Sequence, residues 1–420
     1  MLFRISILLV FTGTLCTCSR KIQSTFAKPE HLVVRSSVSR DIPDPGNNPC
    51  NDPLSYAPDP EHLSHTPPLA VHVVVHFMDA GDGVHNLRKV KAREFALDMI
   101  SKCNIKLRAN AKMHLPPGND TPVLPVPWYY VLIPDPAIEG HDGIYFHYDT
   151  ALYYYRHGRN TNRTSRAVID KYAVQSDSVI NIFMMPHHPD SVGRPDYRAV
   201  GTGIMLGSSL KIAQVFKESL IPESCTSLLN HEIGHALGLS HTWAGNDGCD
   251  DTPKHTNCWN YTSEPPCDSL VSNNLMDYNA WQAAVTPCQI GRVMRNVANP
   301  ASRIRKYFRP DWCSYDSTST ITITDSVHWS APKDLSGDIV IADHGVLQVS
   351  CRISLAQEAR IIVAPLGRLI LNDCQLHNAC GDQWLGIQIQ SRGKQHGIVE
   401  MFGDPRIEDV IHTVETHGIR

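Results

Sequence analysis

One stretch decides how this chain folds and which chemistry it can carry: His231-Glu232-Ile233-Gly234-His235-Ala236-Leu237-Gly238-Leu239-Ser240-His241, which reads H-E-x-x-H-x-x-G-x-x-H. On a helix, residues four positions apart lie on the same face, so His231 and His235 can present their imidazoles to one ion. Gly238 can adopt a positive φ, which lets the chain turn after the helix and bring His241 to the same ion. A catalytic zinc ion commonly takes three protein ligands and one water. The stretch therefore predicts one Zn2+ with His231, His235 and His241 as its metal ligands.

Glu232 is the predicted catalytic residue of this stretch. It follows the first histidine directly, where its carboxylate can take a proton from a zinc-bound water. The alternative is an ordinary amphipathic helix with incidental histidines. The glycine and the third histidine at fixed offsets disfavour that alternative, because each of these residues has its own geometric role.

Length and charge limit the class of protein. The chain has 420 residues, enough for two or three domains with real cores. Its net charge is -4 and charged residues make up 19% of it, which argues against a nucleic-acid binder that works by bulk charge. The hydrophobic content of 42% is typical of a globular protein.

Residues 1–18 are predicted to be an export signal. Arg4 precedes a short apolar run, Ile5 to Leu15, which is too short to span a bilayer. Cys18 has two interpretations: the acylated residue of a lipoprotein, which would be the only route to a membrane, or a bystander near a plain cleavage site. In both cases we expect an exported chain that is secreted, periplasmic or at the cell surface.

Export places the cysteines in an oxidising compartment, so most of them should form disulfides. The chain has 13 cysteines, and the number beyond Cys16 and Cys18 is odd, which leaves at least one without an intramolecular partner. Residues 19–68 are rich in Pro, Asp, Asn and Ser and are predicted to be a linker or prosegment. Within them, Cys50 could block zinc as a thiolate, but a disulfide is favoured.

Residues 69–310 are predicted to form an α/β (α+β) domain with a mixed, twisted sheet and the zinc helix. A helix is expected at about Leu87 to Lys102, and the zinc helix is expected to begin near Thr226 or Ser227, either of which can cap it. Gly203 to Gly207 should form an edge strand that can pair with an extended substrate. The expected strands are rich in β-branched and aromatic residues: Val71 to Phe77, Trp128 to Ile133 and Ser178 to Met185.

The loop after His241 is poor in core residues and is expected to depend on disulfides from Cys249, Cys258, Cys267 and Cys288. Three acidic residues of this loop, Asp247, Asp250 and Asp251, are candidate Ca2+ ligands through oxygen. The alternative is that they are simply solvated, as acidic loop residues usually are.

Met276 lies shortly downstream of the third histidine, in Asn273-Asn274-Leu275-Met276-Asp277-Tyr278. It is predicted to form a hydrophobic floor below the zinc site, a Met-turn. Tyr278 is a candidate second catalytic residue, whose hydroxyl could donate a hydrogen bond to the oxyanion of a tetrahedral intermediate. Thr286-Pro287 reads as a capped helix start.

Together these motifs resemble the pappalysin-like metzincins, the cytophagalysin group. The resemblance covers about Val71 to Phe308 and is carried by His231 to Pro253, Met276-Asp277-Tyr278 and Thr286-Pro287 with Gln289 and Arg292. It implies zinc endopeptidase activity with the three histidines as ligands and Glu232 as general base. It also implies frequent calcium binding and maturation by loss of a prosegment.

Residues 317–420 differ from the rest of the chain in their repeated short runs of β-branched residues and glycine. Ile339-Val340-Ile341 and Gly345 are echoed 22 residues later by Ile361-Ile362-Val363 and Gly367. Such periodic short strands predict the stacked rungs of a parallel β-helix, with a β-sandwich as the alternative. The segment is similar to β-helical modules attached to exported bacterial proteins. Because the sequence stops at Arg420 just after a Gly-Ile pair, we expect a truncated product of a longer parent.

Two functions follow from these observations. The first is an exported zinc endopeptidase that acts on protein or peptide substrates. The second is a surface adhesion or glycan-binding protein in which the β-helix works and the protease domain is vestigial. The intact histidines, Glu232 and Met276 favour the first.

Overall fold

The structure is a computed structural model of the 420-residue chain. The predicted signal peptide, the candidate lipid attachment at Cys18 and the last eight residues lie outside the described residues. The structure describes residues 21–28, 31–35, 49–81, 83, 87–156, 160–192, 202–214, 220–245 and 247–412. Within them, no helix is both long enough and apolar enough to cross a membrane.

A mixed sheet of six strands forms the centre of the predicted 69–310 domain. Its order is β4-β3-β6-β8-β7, with β5 also paired to β3, and all pairs are parallel except the antiparallel pair β7 and β8. After two short N-terminal strands, β1 (Gln23–Phe26) and β2 (Leu32–Arg35), the strands of this sheet are β3 (Leu69–Asp79), β4 (Trp128–Leu132), β5 (Ile144–Tyr148), β6 (Ile180–Pro186), β7 (Thr202–Leu206) and β8 (Ser209–Gln214). The predicted edge strand is therefore present as β7.

Five α-helices lie in this domain among the described residues: α1 (Lys89–Arg108), α2 (Ala167–Tyr172), α3 (Pro189–Val192), α4 (Glu223–Ala236) and α5 (Pro287–Ala298). The core forms where α1 and α4 cover the apolar face of the sheet, with Met99 and Leu229 both fully buried. α5 begins with a capping box, in which the Thr286 side chain accepts from the Gln289 amide and the Gln289 side chain accepts from the Thr286 amide.

The predicted start of the zinc helix was wrong by one turn. α4 begins at Glu223, and Pro222 precedes it without a side-chain cap. The Thr226 hydroxyl donates to the carbonyl of Glu223 at 2.9 Å, so it serves the first turn from within the helix. The acidic Glu223 at the helix start interacts favourably with the helix dipole, which supports the earlier start.

A buried histidine of β3 and a half-buried histidine of the neighbouring β5 lie side by side in the sheet. His76 of β3 has no exposed surface; its Nδ1 lies 2.9 Å from Nε2 of His147 and its Nε2 lies 2.9 Å from Oδ1 of Asn181. Burial lowers the pKa of His76 to about 3, with His147 adding to the effect, and burial lowers the pKa of His147 to about 4. Both imidazoles are therefore neutral in the folded protein near pH 7.

Acid is expected to destabilise this domain through His76. Its pKa in the unfolded chain is about 6.5, so the unfolded state takes up the proton first and stability falls as the pH drops below that value. The free energy of unfolding should decrease by up to about 1.4 kcal/mol per pH unit for each such histidine. Urea titrations between pH 6 and pH 4 would measure this slope. His76→Gln should flatten it, whereas His396→Gln, at an exposed position, should not; equal slopes would contradict the prediction.

The C-terminal residues form three sheets built from short strands. The chain visits the three sheets in turn, and each pass through them adds one strand to each sheet. All pairs among the strands from β9 to β18 are parallel. The pairs of β20 with β16 and of β21 with β17 are parallel as well. The strands are β9 (Ile321–Ile323), β10 (Ser326–Trp329), β11 (Lys333–Leu335), β12 (Ile339–Ile341), β13 (Val346–Val349), β14 (Arg352–Leu355), β15 (Arg360–Val363), β16 (Arg368–Asn372), β17 (Gln375–His377), β18 (Gly386–Arg392), β19 (Gln395–His396), β20 (Ile398–Phe402) and β21 (Arg406–Ile407). The 22-residue repeat of the sequence corresponds to the pairing of β12 with β15, in which Ile339 lies opposite Ile361.

The N-terminal residues are tied to these C-terminal sheets. β1 pairs with β18, and β2 pairs with β20. The strands β1 and β2 both lie within residues 19–68, the predicted linker or prosegment. Cys50 forms a disulfide with Cys351, in keeping with the favoured interpretation of that cysteine. A second disulfide, Cys313–Cys380, joins the residues just after the predicted 69–310 domain to the C-terminal sheets.

Candidate metal centre

The helix α4 and the turn after it bring three imidazoles together. His231 and His235 lie one helical turn apart, and Gly238 then adopts a φ of 92° that reverses the chain. The Nε2 atoms of His231 and His241 lie 3.2 Å apart, those of His235 and His231 lie 3.2 Å apart, and those of His235 and His241 lie 3.0 Å apart. The triangle predicted from the sequence is thus present in the structure.

This triangle fits zinc. Three nitrogens at about 2.0–2.1 Å from a tetrahedral zinc ion would lie about 3.3 Å from one another. The observed spacing is within a few tenths of an ångström of that value. Among the described residues, the second group of clustered ligand types is Cys249, Asp251 and Cys288. Its two cysteines form a disulfide with each other, so it does not offer thiolates to a metal.

Backbone carbonyls orient two of the imidazoles. Nδ1 of His231 lies 2.8 Å from the carbonyl oxygen of Leu275, and Nδ1 of His235 lies 2.9 Å from that of Leu239. A proton on each Nδ1 donates to the carbonyl and leaves Nε2 as the free lone pair that a metal requires. The ring of His241 is instead stacked on Trp243, with centroids 4.0 Å apart.

Burial keeps the three imidazoles neutral. It lowers the pKa of His231 to about 4, with the neighbouring His235 adding to the effect. Burial together with His235 also lowers the pKa of His241 to about 4, and burial lowers the pKa of His235. Neutral imidazole is the form that binds zinc, so no proton has to be displaced near pH 7.

Glu232 lies under the edge strand β7. Its side chain is buried, and a Cβ added to Gly203 of β7 would lie 3.0 Å from its Cγ. The strand therefore passes as close to Glu232 as a glycine allows. Burial raises the pKa of Glu232 to about 7, against a hydrogen bond from the Met205 backbone that lowers it. A carboxyl group with a pKa near the working pH can both accept and donate a proton.

Met276 forms the floor of the site. It is fully buried, and a Cβ added to Gly234, between the two helical histidines, would lie 2.5 Å from its sulfur. The thioether thus packs directly against the backbone of the zinc helix. The structure places Met276 where the sequence predicted a Met-turn.

Replacing Gly234 by alanine is expected to displace Met276 and to distort the histidine triangle. We expect a loss of about 1–3 kcal/mol in the free energy of unfolding, the usual cost of overfilling a packed core, with weaker zinc retention. Differential scanning calorimetry and metal analysis would measure both effects. The double variant Gly234→Ala, Met276→Ala should lose less than the sum of the single losses, because the smaller side chain makes room. Strict additivity would contradict the proposed contact.

Tyr278 lies at the mouth of the site. Its ring centroid is 5.7 Å from that of His231, 5.1 Å from that of His241 and 4.6 Å from that of Trp243. The side chain is 44% exposed, so it is free to approach a bound molecule. Its catalytic role stays a prediction.

Behind the site is a buried polar network centred on Asp277, which sequence reasoning missed. Oδ1 of Asp277 accepts from the Thr242 hydroxyl at 2.6 Å and from its backbone N–H at 3.2 Å, while Oδ2 accepts from His255 at 3.0 Å and from the Ser272 hydroxyl at 2.5 Å. Burial alone would raise the pKa of Asp277, but the hydrogen bonds from His255, Ser272 and Thr242 outweigh it and lower the pKa. The network joins the residue after His241 to the Met-turn. No spacing rule links residues 242, 255, 272 and 277, so the sequence alone offered no signal for it.

The loop after the site is held by the predicted cysteines, which pair as Cys249–Cys288 and Cys258–Cys267. Two of its candidate calcium ligands take part in hydrogen bonds. Asp247 accepts from the Thr252 hydroxyl at 2.7 Å, and Asp251 accepts from the Thr286 hydroxyl at 2.8 Å. Calcium binding remains a prediction from the sequence.

A sequence comparison assigns this segment. The helix, the triangle of imidazoles and Met276 below them are the features that the resemblance to the metzincins predicts. Residues 214–298, which include all of these, match the model of peptidase family M43, described as pregnancy-associated plasma protein-A. The match supports a similarity of this segment to the pappalysin-like metzincins, a family of metalloproteases. The comparison with curated proteins finds no match to this chain.

Solved structures of mirolysin show a distant likeness. Mature mirolysin of Tannerella forsythia with a cleaved peptide is 17% identical, with a TM-score of 0.41 over 57% of this chain and 95% of that one. Mirolysin with compound 9 gives the same identity and TM-score over 57% of this chain and 96% of that one. A variant of promirolysin from Tannerella forsythia is 16% identical, with a TM-score of 0.42 over 58% of this chain and 84% of that one. The similarity to the pappalysin-like metzincins rests on the sequence match of residues 214–298.

Proposed function

We propose that this chain is an exported zinc endopeptidase that hydrolyses peptide bonds in protein or peptide substrates. The observation that carries the proposal is the meeting of the three Nε2 atoms at 3.0–3.2 Å, beside the buried carboxyl group of Glu232. His231, His235 and His241 would hold the ion. Bound zinc would polarise the scissile carbonyl and lower the pKa of its water.

Glu232 acts as the general base in this proposal. It takes the proton of the attacking water and later gives it to the leaving amine. Its burial supports both roles, because the raised pKa lets the carboxylate take up the proton of the water and hold it until the leaving amine accepts it. Tyr278 assists by donating a hydrogen bond to the oxyanion. Its exposure and its contact with Trp243 leave it at the side of the site where a substrate carbonyl would enter.

The edge strand β7 orients the substrate. It pairs antiparallel with β8 on one side, and Gly203 and Met205 lie next to Glu232. An extended peptide that adds to the other edge of β7 would run past the zinc ligands, with backbone hydrogen bonds supplying affinity for many sequences.

We also propose that residues 317–420 are a parallel β-helix. The support is the order in which the chain visits its three sheets, with β9, β10 and β11 repeated by β12, β13 and β14 and then by β15, β16 and β17. A sandwich would instead alternate between two sheets. Export is supported by the four disulfides, which require an oxidising compartment.

Purified protein is expected to contain one zinc per chain and to cleave casein or gelatin. A chelator should abolish cleavage, and added zinc should restore it. His235→Ala should lower the zinc content to well below half, because two ligands bind zinc much more weakly than three, whereas His396→Ala, at an exposed position, should leave it unchanged. Metal analysis by mass spectrometry and a casein assay test both points. The proposal would be contradicted by cleavage that persists in the presence of a chelator. It would also be contradicted by a protein that binds glycans but cleaves neither casein nor gelatin.

A further inference from the structure

Residues 23–35 of the N-terminal region complete the C-terminal sheets. β1 pairs antiparallel with β18, with Thr25 facing Ile389, and β2 pairs parallel with β20, with Val34 facing Met401. Both are the last strands of their sheets, so they cover the edges that β18 and β20 would otherwise leave open. Open strand edges are templates for further pairing.

β2 continues the internal repeat of the C-terminal region. In the sheet that it joins, one ladder of facing apolar residues runs through Val327, Leu347, Leu369, Val399 and finally Leu32. The first four come from successive passes of the C-terminal chain. The fifth comes from the opposite end of the protein, yet it has the same parallel direction and the same apolar character. β2 therefore takes the position of one more pass.

Residues 26 and 27, at the end of β1, are anchored as well. Ala27 is buried, and its N–H donates to the carbonyl of Ile387 at 2.8 Å. The ring of Phe26 stacks on His412, with centroids 3.8 Å apart. The disulfide Cys50–Cys351 then returns the chain to the same sheets between β13 and β14. This tether keeps the effective concentration of residues 23–35 high at their own edge.

We propose that residues 23–35 are an exchangeable donor segment and that the edges of β18 and β20 form its docking surface. A second copy of this chain fills that surface with its own residues 23–35 when the segment cannot reach the edge of its own chain. The identical segment brings the same register and the same apolar ladder, which is the condition for exchange of an element between copies.

The test uses the full chain with a site for a specific protease introduced in the stretch 36–48 and cut without reducing agent. The N-terminal fragment should stay with the body of the protein during gel filtration. An excess of labelled peptide of residues 21–35 should replace it, as followed by fluorescence anisotropy. A peptide with both Val33→Pro and Val34→Pro should bind at least about tenfold more weakly. Neighbouring N–H groups of a strand point to opposite sides, so one of these two points at β20, and proline removes that hydrogen-bond donor. A peptide with Ile22→Pro, outside β1, is the matched control.

A second measurement addresses the second copy. Shortening the stretch 36–48 in the full chain should increase the share of dimer seen by light scattering, and the proline pair in the same chain should remove that increase. Three results would each overturn the proposal. The first is an N-terminal fragment that separates from the body of the protein during gel filtration, and the second is equal binding of the proline peptide and the control peptide. The third is an unchanged share of dimer when the stretch 36–48 is shortened. These readouts are mass and binding, so they do not depend on whether the zinc site cleaves peptides.

Discussion

Glu232→Gln is expected to lower kcat/KM for peptide hydrolysis by about 10²- to 10⁴-fold, the usual contribution of general acid–base catalysis. Glutamine has nearly the same shape, so the packing against Gly203 is kept while the carboxylate that takes the proton is lost. Zinc content should stay near that of the unaltered protein, because Glu232 is not one of the three converging ligands. Hydrolysis of a fluorogenic peptide, together with metal analysis, would measure both quantities.

The matched control for this prediction is Glu94→Gln, at an exposed position of α1. It should leave kcat/KM unchanged. If Glu232→Gln kept most of the activity at full zinc content, the proton would have to be taken by another group, and the proposed role of Glu232 would be wrong.

Asp277→Ala is expected to destabilise the domain by about 3–5 kcal/mol, because removal of the carboxylate leaves the buried donors of Thr242, His255 and Ser272 without their acceptor. Asp277 is fully buried, and its hydrogen bond opposes the effect of burial on His255 and raises the pKa of that histidine. Loss of the carboxylate also frees Thr242, the residue next to the ligand His241. We therefore expect weaker zinc retention in addition to a lower unfolding temperature.

Calorimetry and zinc competition with a chromogenic chelator would measure the two effects. Asp277→Asn should recover part of the stability, since its amide oxygen can still accept from Thr242. Asp268→Ala, at an exposed position of the neighbouring loop, is the control. An Asp277→Ala protein as stable as that control would show that the network is not needed to hold the turn.

Local sequence was enough to predict the zinc site because its geometry is nearly local. The spacing of His231 and His235 defines a helix face, and Gly238 permits the positive φ that returns His241 to it. The strands β3 and β6 were also predictable, since their apolar residues are buried on both faces of the sheet. The start of α4 was misjudged because Thr226 and Ser227 resemble caps, whereas the helix already begins at Glu223.

The sequence by itself therefore predicted the convergence of the three histidines, the position of Met276 below the helix and the repeat of the C-terminal strands, while the general-base role of Glu232 stays a proposal. Each depends on residues within a short span or on a repeated spacing. Only the tertiary structure decided how Cys50 and Cys351 pair, that Thr242 and His255 meet at Asp277, and that Leu32 extends a ladder that begins at Val327. These contacts join residues far apart in the chain, and no local pattern encodes them because they form only once separate elements have packed against each other.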